Sequence, residues 1–201
     1  MFYQRYIKRF LDFVLALLGI IFLLPIFIVI AILIKKEDGG SVLFKQVRVG
    51  QNGKPFKIYK FRTMVENAEK LGSQVTKGDD PRITKIGKFL RKYKLDELPQ
   101  LLNVLKGDMS LVGPRPEVPK YVEAYKEDYS EILKVKPGIT DYATLEYVNE
   151  EEVLKGVQDV EKVYLEKVLP EKIKYYKRYI NDISFLTDLK LIIKTLIKII
   201  R

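Results

Sequence analysis

The feature that most constrains this chain is a run of 22 uncharged residues from Phe13 to Ile34. As an α-helix, such a run is about 33 Å long, enough to cross a hydrocarbon core of about 30 Å. It is longer than the apolar core of a cleavable signal sequence, and no small-residue cleavage motif follows it before Lys35. The run therefore predicts a membrane-inserted segment.

The flanks of the run favour a hairpin over a simple crossing. Arg5, Lys8 and Arg9 precede the run, and Lys35 and Lys36 follow it. Because basic residues tend to stay on the inner side of a membrane, both ends are drawn to the same side.

Pro25 lies near the middle of the run, where its ring removes one backbone donor and crowds the carbonyl of Ile21. The arms on either side, about 12 and 9 residues long, each reach about halfway into a bilayer. We therefore interpret residues 1–36 as a re-entrant membrane helix of the helix–break–helix type. An ordinary kinked helix that spans the membrane is the alternative.

A second membrane contact is predicted over residues 183–201. Lys190, Lys194 and Lys198 recur every four residues and form one stripe of a helix. Leucine and isoleucine cover most of the remaining helix surface. This pattern is typical of an amphipathic helix in the membrane interface whose lysines reach the head groups. A core helix of the folded domain is the alternative.

Residues 37–182 contain no repeat or long linker and predict one compact domain. Alternating apolar residues over 41–49 and 54–61, around a Gly50-Gln51-Asn52-Gly53 turn, predict a β-hairpin. The segment 149–179 is predicted to be helical with a break near Pro170. Helical periodicity also covers 65–71, 84–93, 98–106 and 117–131. The predicted fold class is mainly α with a small β-hairpin, a re-entrant membrane helix, one compact interfacial catalytic domain and surface amphipathic helices.

Composition narrows the chemistry, because the chain has no cysteine and no histidine. This excludes disulfides, zinc ribbons, thiolate nucleophiles and every mechanism that needs an imidazole. Acid–base or nucleophilic work must therefore use carboxylates, lysines, tyrosines or hydroxyls.

Charge is distributed unevenly around the net value of +10. Residues 35–116 carry 18 basic and 9 acidic side chains, whereas residues 117–171 carry 7 basic and 14 acidic ones. There is no arginine-rich arm, zinc finger or aromatic RNA-binding signature. The pattern indicates an anion-binding site at a membrane face rather than a nucleic-acid partner.

Asp96 and Glu97 stand where a helix is predicted to begin, with Pro99 in its first turn and Gly107 at its end. The ordinary interpretation is an N-cap aspartate followed by a first-turn glutamate. The functional interpretation is that carboxylates among cations stay ionised, hold Mg²⁺, or attack phosphorus as nucleophiles.

Four arginines stand near glycine or proline, in turn-like or helix-end positions where a guanidinium can bind phosphate through two hydrogen bonds. They are Arg62, Arg82, Arg91 and Arg115. A surface salt bridge is the alternative role for each of them.

The same region contains a set of motifs in a fixed order. They follow a basic amino terminus with a proline-containing apolar segment, and they are Tyr59-Lys60-Phe61-Arg62-Thr63-Met64, Asp80-Pro81-Arg82-Ile83-Thr84, Leu95-Asp96-Glu97-Leu98-Pro99-Gln100, Lys106-Gly107-Asp108-Met109-Ser110-Leu111-Val112-Gly113-Pro114-Arg115-Pro116 and Lys136-Pro137-Gly138-Ile139-Thr140. In these motifs the chain resembles the bacterial sugar transferase family, the monotopic phosphoglycosyl transferases, and specifically the small members that consist of the catalytic domain alone.

The resemblance implies transfer of a sugar 1-phosphate from a UDP-sugar to a polyprenyl phosphate, such as undecaprenyl phosphate, with release of UMP. It implies that Asp96 is the nucleophile of a ping-pong reaction with a covalent phosphosugar intermediate. Glu97 would position Mg²⁺ or the lipid phosphate, and both carboxylates are candidate metal ligands. The enzyme would act at the cytoplasmic face of the inner membrane, as the first membrane step of glycoconjugate assembly.

The resemblance also implies that Lys60, Arg62, Arg82, Arg91 and Arg115 bind phosphates. Pro114 and Pro116 would shape the loop that presents Arg115. One departure from the family is Leu24, which stands where a serine commonly precedes the membrane proline.

The expected partners are the UDP-sugar, the polyprenyl phosphate and membrane lipids, and a homo-oligomer is left open. The acidic stretch over 141–152 is where sugar contacts are expected. The alternative function is a non-enzymatic, membrane-anchored scaffold that binds acidic lipids or assembly partners through its basic residues.

Overall fold

The computed structural model describes residues 3–71, 80–146 and 156–200. The first part of the chain forms a π turn (Tyr3–Ile7), helix α1 (Lys8–Asp38), strands β1 (Leu43–Val49) and β2 (Pro55–Phe61), and helices α2 (Lys85–Lys92) and α3 (Gln100–Lys106). The second part forms β3 (Ser110–Val112), α4 (Pro119–Ala124), α5 (Lys126–Ile132), β4 (Gly138–Thr140), α6 (Tyr142–Glu146), α7 (Val160–Val163), a π turn (Tyr164–Val168), α8 (Leu169–Asp182) and α9 (Phe185–Ile200). Short 3₁₀ turns occupy Gln51–Gly53, Ala68–Leu71 and Leu95–Glu97.

Helix α1 runs through Pro25 as one element of 31 residues, so the predicted break into two helices is wrong at the level of secondary structure. A proline inside a helix removes one hydrogen bond and kinks the axis, but it ends the helix only where nothing else supports the following turn. Here, packed side chains support α1 on both sides of Pro25. The helix is long and apolar enough to cross a membrane, and the re-entrant topology stays a prediction.

One face of α1 contacts the rest of the protein along the length of the helix. Near its start, Ala16 packs in a cluster with Ile58 of β2 and Val104 of α3. Near its end, Ile30 and Ile34 pack in a second cluster that contains Phe61 of β2 and Leu90 of α2. The opposite face leaves large apolar side chains exposed, including Phe10, Phe13, Ile21, Phe22 and Leu24. One face of α1 is therefore packed against the protein and the other is exposed, although almost all of its residues are apolar.

Two polar side chains near the start of α1 bind backbone groups of α3 and β3. Arg9 donates to the carbonyl oxygens of Val104 (2.6 Å) and Leu105 (3.0 Å) at the end of α3. Asp12, which is buried, accepts a hydrogen bond of 3.0 Å from the backbone amide of Leu111 in β3. The membrane-type helix is thus joined to both segments that follow the Asp96–Glu97 pair.

The predicted hairpin is confirmed. Strands β1 and β2 pair antiparallel, from Leu43 opposite Phe61 to Val49 opposite Pro55. The connecting turn places Asn52 and Gly53 at positive φ, as its composition requires. A second pair, the parallel strands β3 and β4, was not predicted, because two strands of three residues are too short to show an alternating pattern.

Most predicted helices are found, with three differences. Residues 65–71 contain only the short 3₁₀ turn, and the predicted helix over 117–131 is divided at Tyr125 into α4 and α5. Of the segment 149–179, residues 149–155 lie outside the described part of the chain. The remainder winds from Val160 to Asp182 through a π turn, with Pro170 in the first turn of α8. The predicted helices α2, α3 and α9 are confirmed within two residues at each end.

The carboxyl-terminal half encloses a tyrosine-rich core. Helices α4, α5 and α8, together with the π turn before α8, bring together Tyr121, Tyr129, Tyr164 and Tyr176, all almost fully buried. Helix α9 docks beside this core through Leu191 and is exposed along most of its other side, as an amphipathic helix should be.

The amino-terminal segment and α9 meet at one buried carboxylate. Tyr3 and Tyr179 each donate a hydroxyl hydrogen bond of 2.7 Å to Asp188, and the Lys8 ammonium lies 2.6 Å from it. The two predicted membrane contacts are therefore fastened to each other.

Candidate active site

The Asp96–Glu97 pair lies in the 3₁₀ turn between α2 and α3. Lys94, which precedes the turn, adopts a left-handed conformation with φ of 54° and redirects the chain. Leu95 and Leu98 anchor both ends of the turn against the apolar cluster that contains Ile34 of α1. The turn is thus fixed by packing against the membrane-type helix. Asp96 does not cap α3, whose N-cap is Pro99 with no side-chain hydrogen bond, so the capping interpretation of Asp96 is wrong.

Glu97 is held by two cations. Lys60 of β2 donates to its Oε1 at 2.8 Å, and Arg115 donates to both carboxylate oxygens, with Nη1 at 3.1 Å from Oε2. Burial by itself would raise the pKa of Glu97, but Arg115 and Lys60 outweigh it and hold that pKa well below its usual range. Glu97 is therefore an ionised anchor for the cations of the site.

Asp96 is in the opposite situation. Its side chain is buried, and its Oδ1 atom has no hydrogen-bond partner among the residues that the structure describes. Burial raises the pKa of Asp96, while Lys60 pulls it down and Glu97 adds to the rise. Of two neighbouring carboxylates, one is fully hydrogen-bonded and the other has an oxygen without a partner among the described residues.

The side chain of Asn103 forms a clamp between α3 and strand β2, which carries Lys60. The Asn103 amide donates to the carbonyl of Lys57 (2.8 Å), and its oxygen accepts from the backbone amide of Tyr59 (3.0 Å). Asn103 is fully buried and satisfies both strand groups. The clamp fixes the strand next to Lys60 against the helix that follows Glu97.

Arg115 is presented by the loop after β3, and two glycines allow its position. Gly113 donates to the carbonyl of Thr140 (2.9 Å), and Gly138 donates to that of Pro114 (2.9 Å), which extends the β3–β4 pairing into the loop. A Cβ atom on Gly138 would lie 2.0 Å from the backbone nitrogen of Gly113. Only glycine permits this contact, which sets the start of the Pro114-Arg115-Pro116 segment.

The remaining predicted phosphate-binding residues are distributed around the site. Arg91, near the end of α2, donates to the Thr63 hydroxyl at 2.9 Å, and its charge helps to lower the pKa of Asp96 against the effect of burial. Lys60 and Arg91 therefore both act against the effect of burial on the pKa of Asp96, whereas Lys60 and Arg115 are bound to Glu97.

Arg62 and Arg82 are engaged in other ion pairs. Arg62 is buried and binds Asp38 at the end of α1 as well as the carbonyl of Ser41. Arg82 binds Asp80 with 2.6 Å between Nη2 and Oδ2. These pairs lower the pKa values of both aspartates, chiefly through the side-chain hydrogen bonds. The structure does not bring these two guanidinium groups onto the Asp96–Glu97 pair, and a direct role in phosphate binding stays a prediction.

A metal ion at this site would have few protein ligands. The described residues include no cluster of three or more aspartate, glutamate, histidine or cysteine side chains. Mg²⁺ does not require one, because it is commonly bound by one or two carboxylates together with substrate phosphates. Both oxygens of Glu97 already accept hydrogen bonds, so the carboxylate of Asp96 is the protein group that fits such an ion best.

The sequence analysis missed three polar residues around the site. Thr63 accepts a hydrogen bond from Arg91, and Asn103 accepts one from the backbone of β2. Gln100 is fully buried one turn beyond Asp96. The sequence could have indicated Gln100 and Asn103, because both are polar residues on the otherwise apolar face of α3. In the stretch 141–152, Asp141 caps α6 through the backbone amide of Thr144 (2.7 Å), and residues 147–152 lie outside the described part of the chain.

These features define a cation-lined carboxylate site on a protein with one long apolar helix. Comparison with known families then identifies the chain. The family described as bacterial sugar transferase matches residues 3–201, and the chain belongs to this family.

Curated relatives agree with the family assignment. The chain is 40% identical over 199 residues to the UDP-glucose:undecaprenyl-phosphate glucose-1-phosphate transferase of Escherichia coli (strain K12), covering 97% of this chain and 40% of that protein. It is 50% identical over 122 residues to the putative undecaprenyl-phosphate N-acetylgalactosaminyl 1-phosphate transferase of Bacillus subtilis (strain 168), covering 61% and 68%.

A third relative matches over most of its own length. The chain is 35% identical over 204 residues to the exopolysaccharide production protein ExoY of Sinorhizobium fredii, covering 94% of this chain and 83% of that protein. By contrast, the chain spans only about two-fifths of the length of the Escherichia coli relative.

Proposed function

We propose that this protein transfers a sugar 1-phosphate from a UDP-sugar to a polyprenyl phosphate and releases UMP. One observation supports this most: of the two adjacent carboxylates, Glu97 is bound by Lys60 and Arg115, while Asp96 is buried beside them with an oxygen free of hydrogen bonds among the described residues. A carboxylate that takes no part in these ion pairs suits a nucleophile, and the cations suit phosphates. The names of the relatives support the reaction class.

In the first half of the proposed reaction, an Asp96 oxygen attacks the β-phosphorus of the UDP-sugar. A bond forms between that oxygen and phosphorus, and the bond from phosphorus to the bridging oxygen breaks. UMP leaves with the bonding electron pair and the oxygen. Lys60, Arg91 and Arg115 face the charge that develops on the phosphoryl oxygens.

In the second half, an oxygen of the polyprenyl phosphate attacks the same phosphorus and displaces the Asp96 carboxylate. The product is a polyprenyl diphosphate sugar, and the enzyme is restored. Storing the phosphosugar on Asp96 lets one anionic substrate leave before the next one binds, which avoids placing both in a cationic site of limited size.

Mg²⁺ is the proposed cofactor. An Asp96 oxygen together with substrate phosphate oxygens would hold it, and when bound it supplies charge neutralisation at the phosphates. Lys60 and Arg115 remain bound to Glu97 and keep the site cationic.

The structure also supports a proposal for the membrane arrangement. Helix α1 packs on the catalytic region from Asp12 to Ile34, a length of about 33 Å. If α1 crossed a bilayer along its normal, the charged residues of that region would be drawn to hydrocarbon depth at high cost. We propose that α1 enters and leaves one leaflet, with α9 in the interface and the site at the cytoplasmic face of the inner membrane.

A groove beside α1 suits the acceptor lipid. Its volume is about 430 Å³, and its walls are apolar except for two lysines at the end of the helix. The lining residues are Ile28, Ala31, Ile32, Lys35, Lys36 and Val42. An apolar chain with an anionic head group matches both features.

The reaction is tested with a radiolabelled UDP-sugar, Mg²⁺ and polyprenyl phosphate, with UMP and lipid-linked product as readouts. With donor alone, wild-type protein should release one equivalent of UMP and retain the phosphosugar at Asp96, detected by mass spectrometry of the quenched protein. Asp96→Asn should do neither, whereas Asp128→Asn, at an exposed ion pair with Lys177, should behave as wild type. Turnover by Asp96→Asn would refute the nucleophile, and absence of UMP release by wild type across a panel of UDP-sugars would favour the scaffold.

The membrane arrangement is tested by labelling single cysteines at residues 2 and 40 in sealed vesicles, since the chain has no cysteine of its own. Both positions should be accessible from the same side. Accessibility from opposite sides would show that α1 spans the membrane.

A further inference from the structure

The side chain of Gln100 presents an unusual deficit of hydrogen bonds. It is fully buried at the first residue of α3, and neither its Oε1 nor its Nε2 has a partner within residues 3–71, 80–146 and 156–200. An amide offers two donors and an acceptor, and burying one without partners opposes folding. Three residues later on the same helix, Asn103 is equally buried and binds backbone groups with both ends of its amide. The buried amide of Asn103, whose role is structural, therefore has hydrogen-bond partners, whereas that of Gln100 has none among the described residues.

Gln100 stands next to Asp96 in the helical path. The chain winds without interruption from Leu95 into α3, because the amide of Leu98 donates to the carbonyl of Leu95 (3.2 Å) and that of Leu101 to the carbonyl of Leu98 (3.1 Å). These hydrogen bonds each span three residues, as in a 3₁₀ helix, so Asp96 and Gln100 lie little more than one turn apart on this path. Both Asp96 and Gln100 are turned inward.

The two side chains lack hydrogen-bond partners of complementary kinds. Asp96 has a buried acceptor oxygen without a donor, and Gln100 has a buried donor group without an acceptor, as far as the described residues show. The nearby cations Lys60 and Arg115 donate to Glu97 instead. A glutamine side chain has three rotatable bonds, so a change of rotamer moves its amide without any movement of the backbone.

We propose that Gln100 is a positioning residue for Asp96: in the reacting enzyme its amide donates a hydrogen bond to the Asp96 carboxylate and orients the other oxygen toward phosphorus. The proposal rests on the function proposed above, in which Asp96 is the nucleophile. A hydrogen bond to the ionised form also favours that form over the protonated one, which opposes the effect of burial. Gln100 thus acts on both the direction and the charge of the nucleophile.

The alternative is that Gln100 is simply a poorly satisfied core residue. The two cases predict different results for Gln100→Met, which has a similar shape and no polar group. Replacing a buried, unpartnered amide by an apolar side chain should leave the melting temperature unchanged or higher in either case. Only a positioning role also makes the reaction slower.

The test uses the full chain in nanodiscs. For Gln100→Met we expect kcat to fall about 10- to 100-fold, the factor that corresponds to loss of one hydrogen bond to a charged group. KM for the donor should change less than about threefold, because the phosphates are bound by other residues. The acid limb of the kcat–pH profile should move to higher pH, because the protonated form of Asp96 is no longer opposed by the amide.

Gln100→Asn provides a second variant, in which the amide is kept but is one methylene too short to reach Asp96. It should show the same fall in kcat and the same shift of the acid limb. Tyr129→Phe is the matched control, because it removes another buried polar group without a partner among the described residues, within the tyrosine core. Its kcat and pH profile should be those of wild type.

Wild-type kcat with an unmoved acid limb in Gln100→Met or Gln100→Asn would overturn the proposal and leave Asp96 as nucleophile. Failure of the proposed function itself would show differently, as turnover by Asp96→Asn. The two results are therefore separable in one set of assays.

Discussion

Two glutamate–arginine pairs in this protein have similar chemistry and different neighbours. Glu97 is bound by Arg115 and Lys60 in the candidate active site. Glu117 lies 3.3 Å from Arg48 and accepts a hydrogen bond of 2.6 Å from the Tyr164 hydroxyl in the carboxyl-terminal core. Each pair joins distant parts of the chain, so neither pair alone indicates a function.

The neighbours separate the two regions. The titratable groups around Glu117 include Tyr129 and Tyr176, whose pKa values are raised first by burial and then by Glu117, so they are neutral at pH 7. Beside Glu97 stands Asp96, a second carboxylate that directly adjoins the cation-bound one. The two regions therefore differ in what lies next to the ion pair, and in the proposed mechanism that adjoining carboxylate, and not the ion pair, is the reactive group.

The largest expected difference comes from neutralising that carboxylate. Asp96→Asn should lower turnover at least about 1000-fold, because it removes the attacking atom. It should leave the thermal midpoint unchanged or raise it, since a buried charge without a donor no longer opposes folding. Activity assays and thermal unfolding of the same preparation check both parts, and a fall in the midpoint would show that the ionised Asp96 has a structural partner.

Neutralising the other glutamate should give the reverse. Glu117→Gln leaves the Arg48 guanidinium without its buried counter-charge, which should destabilise the fold by about 3 kcal/mol. At a temperature where the variant is folded, its kcat should stay within about threefold of wild type. Denaturant unfolding followed by tyrosine fluorescence measures the first quantity, and a loss of kcat as large as that of Asp96→Asn would remove the distinction between the regions.

A smaller contrast is expected from exchanging arginine for lysine in each pair. Arg115→Lys keeps the charge but loses the two-point contact with Glu97 and phosphate, and should lower kcat/KM about 30-fold. Arg48→Lys should lower the thermal midpoint and leave kcat/KM near wild type. Equal kinetic effects of the two substitutions would mean that Arg115 has no special relation to substrate.

The smallest effect concerns pH. Burial raises the pKa of Asp96, and the attacking form is ionised, so activity should decline on the acid side at a higher pH than an exposed aspartate would give. The stability contribution of Asp96 has the opposite sign, because the native state binds its proton more tightly and is favoured as pH falls through that raised pKa. A kcat/KM–pH profile of wild type checks the first part. The acid limb of Glu117→Gln should coincide with it, and a displaced limb would contradict the assignment to Asp96.

Local patterns predicted much of the fold. The Gly50–Gly53 turn between alternating strands and the periodicity of α2, α3 and α9 were sufficient, because these elements follow from residues close in sequence. The continuity of α1 through Pro25 was not predictable in this way, since it depends on packing against Ile58, Phe61 and Leu90, which are distant in the chain.

The candidate site was predicted in part for the same reason. Asp96, Glu97, Lys60 and Arg115 are brought together, as the motifs implied. Lys60 and Arg115 bind Glu97. The spacing of these residues in the sequence does not show which of the two carboxylates the cations bind. Arg62 and Arg82 have the same sequence features as Arg115, yet the fold pairs them with Asp38 and Asp80.

The hydrogen bonds that Arg9 and Asp12 make with α3 and β3 have a practical consequence for the preparation of this protein. A soluble version truncated before β1 would lose the groups that hold the end of α3 and the amide of β3, and it would bare the apolar surfaces that Ala16, Ile30 and Ile34 cover. Attaching an unrelated apolar helix to residues 39–201 would not restore those contacts. Helix α1 is therefore a structural support of the candidate active site as well as a candidate membrane segment, and purification has to keep the two parts of the chain together.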